Sequence, residues 1–255
     1  KYITKLYPED TTVTAHWHEE AEFTKITKGA CRYQIHLETY DVEKGDFIFI
    51  PPAVLHSIIN DRLPEMESDT YVFHMNFLGA SDVCAIQYLM PITNRKLIPP
   101  VVIRRNHPIY TQISSIYNEI CKYDKEKQPG YELWLKSLLL SLLAVLIPYC
   151  KEESDSFALQ NQHIEKLKEV LRYISDHYMD ELSIEELARI CCFSQSYFIH
   201  FFKKYVGMSC IEYINNVRLE QAALQLESNT DTTLDVSLAV GFRNLSYFHR
   251  AFKKK

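Results

Sequence analysis

Glycine, proline and long apolar runs are all scarce in this chain. Its 255 residues include only 6 glycines and 10 prolines, which excludes collagen-like and low-complexity proteins. With 47% hydrophobic and 24% charged residues, the composition is that of a globular protein, and the length favours two domains over one. The longest apolar run, 138–147, has ten residues and includes Ser141, whereas a membrane span needs roughly 20. We therefore expect no transmembrane segment.

The sequence also lacks the signals of a secreted protein. Residues 1–10 contain no apolar stretch of the kind found in signal peptides. The seven cysteines are odd in number, and Cys191 and Cys192 are adjacent, so they do not indicate a disulfide framework. A reducing, cytoplasmic location is expected.

The net charge of −5 is unevenly distributed. Residues 162–255 carry 12 basic and 12 acidic side chains, so the whole acidic excess lies before them. The charged residues among the last thirteen are all basic: Arg243, Arg250, Lys253, Lys254 and Lys255. Such a local cluster is a stronger indicator of a charged partner than the overall charge.

The first half of the chain has the patterns of short strands followed by two helices. Strand-like segments occur between residues 23 and 77, among them the apolar run 47–50, which ends at two prolines. Strands of this length and spacing predict a small barrel or sandwich. Apolar residues then recur every three or four positions in 109–120 and in 131–149, which predicts two helices after the barrel.

The last part of the chain has only helical patterns. The polar, aperiodic segment 151–161 is the predicted linker. A helix over 164–178 follows, and Ser183-Ile-Glu-Glu186 forms a capping box in which Glu186 is expected to reach back to the cap. Ser194 is predicted to cap another helix. The segment 209–226 is long enough for a helix of about 25 Å.

This helical region contains an internal repeat. Three pairs of segments match: 183–188 with 232–237, 196–198 with 246–248, and 202–204 with 252–254. The offset is 49 residues before the turn and 50 after it. Each copy reads as a capped helix, a turn, and a helix with aromatic core positions and a basic end, which is the plan of a helix-turn-helix. Capped amphipathic helices are common in helical domains of any function. Two copies of the same pattern are not expected of a helical domain in general, so the duplication predicts DNA binding.

These motifs resemble the AraC/XylS family of transcription regulators. The resemblance covers 164–254 and includes Glu212-Tyr213-Ile214, Arg218-Leu219, Ala222 and Val240-Gly241-Phe242. It implies a domain in which a long helix joins two helix-turn-helix motifs, with double-stranded DNA as the partner. A linking helix of about 25 Å is consistent with two recognition helices in successive major grooves, about 34 Å apart.

The side chains opposite the buried phenylalanines of each recognition helix are the candidates for DNA contact. The predicted set is Gln195, Ser196, Ile199, His200, Lys203 and Lys204 in the first copy, and Leu245, Ser246, His249, Arg250, Lys253 and Lys254 in the second. Arg250 is the best candidate for base reading, because a guanidinium can bond O6 and N7 of guanine together. The lysines are expected to contact phosphates. Ile199 and Leu245 are either thymine-methyl contacts or exposed apolar residues without a role.

The chain departs from the family pattern at two points. Cys192 stands where the family usually has glycine in the first turn, which predicts a strained or differently shaped turn. The sequence also stops before the glycine, the serine-proline and the final helix that the family usually appends. We therefore expect either a longer natural protein or a second motif that is incompletely packed.

The first hundred residues resemble a second family, the cupins. Two cupin motifs match in order and nearly in spacing, with Ala53 where glycine is usual: His16-Trp17-His18, Glu22 and Gly29, then Gly45, Pro51, His56 and Asn60. In this resemblance, the metal-ligand positions of cupin metalloenzymes fall on His16, His18, Glu22 and His56. Three imidazoles and a carboxylate suit a divalent Zn, Fe, Mn or Ni ion. The alternative is that these side chains fill the barrel around an effector pocket.

The barrel is the predicted site of a small-molecule effector. The candidate residues are His16, Trp17, His18, Glu22, Tyr33, His56 and Tyr71, whose rings and polar atoms suit a sugar, although aromatic residues are more often core. The helix 133–147 is apolar on more than one side, and it resembles the dimerisation helix of AraC-type regulators. A homodimer is therefore expected, with burial inside one chain as the alternative.

Together these features predict a multidomain α+β protein. A cupin-like effector-binding barrel is expected at 1–107, a helical dimerisation segment at 108–150, the linker at 151–161, and an all-α tandem helix-turn-helix domain at 162–255. The predicted function is that of a sequence-specific transcription regulator without enzymatic activity, which binds DNA, responds to an effector and has RNA polymerase as a candidate partner. The alternative is a cupin metalloenzyme with a helical appendage, which the duplicated motif disfavours.

Overall fold

The computed structural model describes residues 2–6, 12–36, 38–59, 65–79, 82–152, 155–228 and 232–254. The chain folds into two compact units. The first comprises Lys1–Thr11, His16–Ile35 and Thr39–Asp155, and the second comprises Thr12–Ala15, His36–Glu38 and Ser156–Lys255. β-strands dominate the N-terminal part and helices the C-terminal part, so the predicted fold class is confirmed.

The strands form two main sheets. The strands are β1 (Tyr2–Leu6), β2 (Thr12–His16), β3 (Ala21–Lys28), β4 (Ala30–Ile35), β5 (Glu38–Glu43), β6 (Phe47–Ile50), β7 (His56–Ile59), β8 (Met66–Phe73), β9 (Leu97–Ile98), β10 (Val102–Ile103) and β11 (Lys151–Glu152). The larger sheet has the order β1-β8-β3-β6-β10, and the smaller has the order β2-β7-β4-β5. A third sheet pairs β9 with β11.

The register of the larger sheet separates its two faces. Phe23 of β3 lies opposite Tyr71 of β8 and Phe49 of β6, so these three side chains share a face. The Tyr117 ring contacts the rings of Phe23 and Tyr71, at centroid distances of 6.1 Å each. This face is therefore covered by the helix that carries Tyr117. Because side chains alternate along a strand, the neighbouring residue Glu22 points to the opposite face.

Helices follow the strands as the sequence predicts. They are α1 (Met75–Leu78), α2 (Met90–Thr93), α3 (Tyr110–Glu126) and α4 (Tyr131–Leu146). Both long helices contribute to one apolar core with the aromatic face of the sheet, through Ile113 and Ile120 of α3 and through Leu142 and Leu146 of α4. The two helices predicted after the barrel are confirmed.

The helix α4 and the turn after it have an unusually apolar surface. By length and composition alone, the segment Tyr131–Tyr149 could cross a membrane, and 22% of its most apolar stretch is buried. No long uninterrupted apolar run marks it in the sequence, because Ser137 and Ser141 interrupt the leucines. A core helix of a soluble protein can have the same length and composition. The absence of a membrane span thus stays a prediction.

The structure differs from the sequence at the predicted linker. Lys151–Glu152 forms a strand that pairs with β9, and α5 (Asp155–His177) already begins within the predicted linker segment. The remaining helices are α6 (Ile184–Ile190), α7 (Gln195–Val206), α8 (Cys210–Ser228), α9 (Thr233–Ala239) and α10 (Leu245–Lys254). The linker sequence lacks apolar periodicity, so the pattern that marked the other helices could not reveal the first turns of α5.

Helix caps in the second unit agree with the sequence. The side-chain oxygens of Ser183, Ser194 and Thr232 each accept a hydrogen bond from the backbone amide three residues later, at 3.1, 3.3 and 3.2 Å. The reciprocal bond expected of Glu186 is not found among the described residues. Its carboxylate instead accepts from the Tyr173 hydroxyl at 2.7 Å, which ties α5 to α6.

Candidate functional site

The two helix-turn-helix copies have the same turn geometry. In the first copy the amide of Phe193 donates to the Ala188 carbonyl, and in the second the amide of Phe242 donates to that of Ser237, both at 2.9 Å. Ala188 and Ser237 are each 1% exposed, so the small residue in each copy lies where two helices meet. These matching hydrogen bonds indicate that the sequence repeat is also a structural repeat.

Cys192 occupies the left-handed backbone region in the first turn. Its φ is 57°, and Gly241 at the equivalent position has a φ of 92°. The amides of both residues donate to the carbonyl three positions earlier, at 3.0 Å. Of the two alternatives for this turn, the strained one therefore fits the structure, since the hydrogen bonds of the two turns match and a Cβ is costly at positive φ.

The recognition helices α7 and α10 bury their phenylalanines and expose the opposite side. In α7, Phe198 and Phe202 are fully buried, and in α10 Phe248 is 1% exposed. The predicted contact residues on the other side are exposed: Gln195, Ser196, Ile199, His200, Lys203, Lys204, Ser246, His249, Arg250 and Lys253. The side chain of Lys254 lies outside the described residues. Each copy thus presents a polar and basic face, and the assignment of individual contacts stays a prediction.

Leu245 differs from the other predicted contact residues. It is half-buried and packs against the apolar core of the second motif, which includes Val236, Val240 and Phe242. Its equivalent position in the first copy, Gln195, is exposed. Leu245 is therefore a core residue at the start of α10, and it is less suited than Ile199 to contact a thymine methyl group.

Four predicted metal-ligand residues meet in the barrel. The possible ligand atoms of His16, His18, Glu22 and His56 all lie within 4.8 Å of one another. His16 ends β2, Glu22 lies in β3 and His56 begins β7, so the cluster joins strands of both main sheets. The ring centroids of His16 and His56 are 4.3 Å apart. The structure brings together all four residues that the cupin resemblance selected.

The hydrogen bonds of this cluster orient two imidazoles toward one carboxylate. Nδ1 of His56 lies 2.8 Å from the Val54 carbonyl, and Nδ1 of His18 lies 3.1 Å from the Glu20 carbonyl. Because a carbonyl oxygen only accepts, each Nδ1 carries the hydrogen. The Nε2 atoms then face Oε1 of Glu22, at 2.9 Å for His18 and 3.7 Å for His56.

The electrostatics of the cluster favour positive charge. The hydrogen bond to Glu22 raises the pKa of His18 above its usual value, although burial acts in the opposite direction. Glu22 and His56 are 3% exposed each. Nε2 of His56 is buried and makes no hydrogen bond in the described part of the chain. A proton or a cation among these rings would satisfy both the carboxylate and the free imidazole nitrogen.

Of the two tyrosines predicted to bind the effector, Tyr33 shares a sheet face with the cluster and Tyr71 does not. Tyr33 lies two residues from Ile35, which pairs with His56, so Tyr33 shares the face of the smaller sheet that carries His56. Trp17 stands between His16 and His18 in the sequence, and its side chain is half-buried. Tyr71 lies on the opposite face of β8 from the cluster side, and its hydroxyl donates to Sγ of Cys121 at 3.3 Å. The structure does not bring Tyr71 together with the histidines, because a one-residue step along a strand reverses the face.

Three polar residues on the same face as Glu22 lie outside the motifs that the sequence shows. Thr24 and Thr70 lie opposite each other and share a hydrogen bond of 2.8 Å. Ser68 lies two residues further along β8, and its buried hydroxyl has no hydrogen-bond partner among the described residues. Alternating small polar residues in β8 were the signal, since such residues are unusual on a purely apolar inner face.

Comparisons with known proteins also separate an N-terminal ligand-binding part from a C-terminal helix-turn-helix part. The model of the AraC-like ligand binding domain matches residues 2–143, and that of a helix-turn-helix domain matches residues 187–255. The HTH-type transcriptional regulator YdeC of Bacillus subtilis is 24% identical over 246 residues, which cover 95% of this chain and 82% of YdeC. MtrA of Neisseria gonorrhoeae, another HTH-type regulator, is 26% identical, over 84% of this chain and 75% of MtrA.

A solved structure supports the fold. ToxT of Vibrio cholerae is 11% identical in sequence, with a TM-score of 0.50, and the match covers 99% of this chain and 92% of ToxT. The ligand-binding model alone covers more than half of the chain, and the relatives are regulators of transcription. The chain therefore belongs to the AraC family of transcriptional regulators, which bind DNA and a small-molecule effector and are not enzymes.

Proposed function

We propose that α7 and α10 enter successive major grooves and read sequence there. The observation that carries this proposal is the pair of turns with matching hydrogen bonds, each followed by a helix with a polar, basic outer face. The linking helix α8 has 19 residues, and so a length of about 28 Å, which is compatible with grooves one helical turn apart. The DNA is double-stranded, and its bases are read by outward-facing residues of each recognition helix.

Arg250 and Lys204 have different roles in this proposal. Arg250 reads a guanine, so Arg250→Ala is expected to cost about 1 to 3 kcal/mol on the specific site and to relax preference at one base pair. Lys204 contacts a phosphate, so Lys204→Ala weakens binding to all sequences alike. Competition binding on promoter DNA and on a single-base-pair variant series separates the two effects. Equal loss on every sequence from Arg250→Ala contradicts its assignment.

The barrel is the proposed effector site, and a carbohydrate is the proposed class. Trp17 and Tyr33 supply rings for stacking, and the cluster side chains supply hydrogen-bond partners for hydroxyl groups. A panel of sugars, with fatty acids for comparison, is tested by the melting temperature of the full chain, since a ligand stabilises the state that it binds. Stabilisation by a sugar that Tyr33→Phe reduces and Tyr71→Phe retains supports this assignment. Stabilisation by fatty acids alone contradicts the carbohydrate.

The cluster of His16, His18, Glu22 and His56 is also the proposed site of a divalent metal. The residues fit, because two imidazole nitrogens face a buried carboxylate and that of His56 has no other partner among the described residues. A bound divalent ion would neutralise Glu22 and accept the lone pairs of the rings. In this role Glu22 supplies the charge, and the backbone carbonyls of Val54 and Glu20 hold the rings in orientation.

Metal binding is tested with zinc alone on protein purified without a nickel column. Calorimetry is expected to show one site per chain, which Glu22→Gln and His56→Ala remove. His177→Ala is the control, because this exposed histidine lies outside the cluster. If no ion binds and metal analysis finds none in stoichiometric amount, the cluster is a polar lining of the barrel, with His18 and Glu22 as an ion pair.

The full regulator is proposed to be a cytoplasmic homodimer. Leu133 and Trp134 of α4 are 72% and 53% exposed, and so they offer an apolar surface to a second copy. Effector binding changes the affinity for DNA if the effector prefers one of two arrangements of the protein. RNA polymerase is the proposed partner at the promoter.

A further inference from the structure

The loop that precedes the first helix-turn-helix is anchored to the middle of the linking helix. Arg218 of α8 donates from Nε to the Tyr178 carbonyl at 2.7 Å and from Nη2 to the Asp180 carbonyl at 2.8 Å. These two carbonyls belong to the segment that connects α5 and α6. One guanidinium thus bridges two backbone acceptors, which the planar arrangement of its donors permits and which a lysine cannot reproduce.

The same loop lies against the turn of the second motif. A Cβ on Gly241 would come within 2.7 Å of the Met179 carbonyl oxygen and 3.0 Å of that of Tyr178. The Tyr178 side chain packs against the apolar core of the second motif. The guanidinium of Arg218 also lies over the Phe242 ring, 5.9 Å from its centroid. Arg218 is therefore in contact with both the loop and the second turn.

A second link between these segments is exposed. Arg243 donates from both terminal nitrogens to the carboxylate of Glu181, at 3.2 and 2.6 Å. Both side chains are largely solvent-accessible, so water and salt screen this pair and its contribution is small. Arg218, by contrast, is half-buried and pairs with backbone groups. Arg218 therefore holds the loop more strongly than Arg243 does, and Arg243 is a suitable control for it.

The other end of the loop is fixed to the first motif. Ser183 caps α6 directly after it, and Tyr173 of α5 donates to Glu186 of α6. The loop is thus held at the first motif by these bonds and at the second motif by Arg218. These attachments fix the orientation of the two motifs relative to each other.

We infer that Arg218 is a positioning residue that sets the spacing between the two DNA half-sites. This inference rests on the proposed reading of DNA by α7 and α10. Arg218 faces the loop rather than the DNA-contacting faces of those helices, so its effect acts through their separation. Loss of Arg218 leaves each recognition helix intact and frees the second motif to turn relative to the first.

The test uses the full chain and three DNA probes: the natural site, the same site with one base pair inserted between the half-sites, and a single half-site. Wild-type protein is expected to prefer the natural spacing by about tenfold or more, since an extra base pair rotates one half-site away from its helix. Arg218→Ala is expected to bind the natural site more weakly and to lose most of this preference, while its affinity for the single half-site stays within about twofold of wild type. Arg243→Ala is the control, and it retains the wild-type preference.

The outcomes distinguish this inference from the proposed function. If wild-type protein binds none of the probes, the proposed function fails. If it binds with a spacing preference and Arg218→Ala keeps that preference in full, the inference about Arg218 is wrong and the proposed function stands. Arg218→Lys keeps the charge but not the pair of hydrogen bonds to the loop, so it is expected to behave as Arg218→Ala does. Wild-type spacing preference in Arg218→Lys would show that charge alone matters and would overturn the inference.

Discussion

Replacing Gly241 by alanine tests the close approach of the second turn to the loop before α6. At this position φ is 92°, and an added Cβ would lie 2.7 Å from the Met179 carbonyl oxygen. Gly130 is the matched control, because its φ is 84° and a Cβ there meets nothing described within 4 Å. The two substitutions therefore share the backbone cost, and only Gly241→Ala adds a clash.

The expected magnitudes follow from this difference. A left-handed backbone costs a non-glycine residue about 1 to 2 kcal/mol, and the stiffer unfolded chain offsets about 0.4 to 1 kcal/mol of that. Gly130→Ala should thus destabilise its unit by about 1 kcal/mol. Overpacking against fixed atoms costs about 1 to 3 kcal/mol more, and the backbone carbonyl of Met179 cannot move aside as a side chain would. We expect Gly241→Ala to cost about 3 kcal/mol.

Urea denaturation with two probes separates the units. Both tryptophans of the chain, Trp17 and Trp134, belong to the first unit, so their fluorescence reports its unfolding. Far-ultraviolet circular dichroism also follows the helices of the second. Gly241→Ala is expected to shift the helical transition and to leave the fluorescence transition unchanged. If Gly241→Ala costs no more than Gly130→Ala, the contact between the turn and the loop is refuted.

Three further substitutions have smaller expected effects. Cys192→Gly removes the strain of a φ of 57° at an exposed side chain, so it should stabilise the second unit by about 0.5 to 1 kcal/mol in urea denaturation, and destabilisation would argue against strain. Ser183→Ala removes the acceptor of the Glu186 amide and should cost about 1 kcal/mol, whereas an unchanged midpoint would contradict the cap. Leu133→Glu should convert a dimer to monomer in sedimentation equilibrium, and a persisting dimer would place the interface elsewhere.

Local features of the fold could be predicted from the sequence. A helix cap needs only a hydroxyl and an amide three residues later, so Ser183, Ser194 and Thr232 were recognisable without tertiary information. The tandem motif was recognisable for the same reason, because two copies repeat the same local pattern. Cys192 and Ala53 were identified as replacements of glycine, and both keep a left-handed backbone, with φ of 57° and 56°.

Outside the cupin-like cluster, several features that depend on distant partners could not be predicted. Tyr71 and Thr70 are adjacent in β8, and the sequence alone does not say which of the two faces points to the cluster. Glu186 was expected to complete a capping box, but a tyrosine from another helix competes for its carboxylate. Arg218 appeared only as part of a family motif, since its partners lie 38 and 40 residues away in the chain.

The two equivalent helices α7 and α10 are proposed to read one face of the duplex, one turn apart. Hydroxyl-radical footprinting of the full chain on its own promoter DNA measures this directly. We expect two protected stretches whose centres are separated by about 10 base pairs, both on the same side of the duplex. A single protected stretch, or two stretches on opposite sides of the duplex, would contradict it.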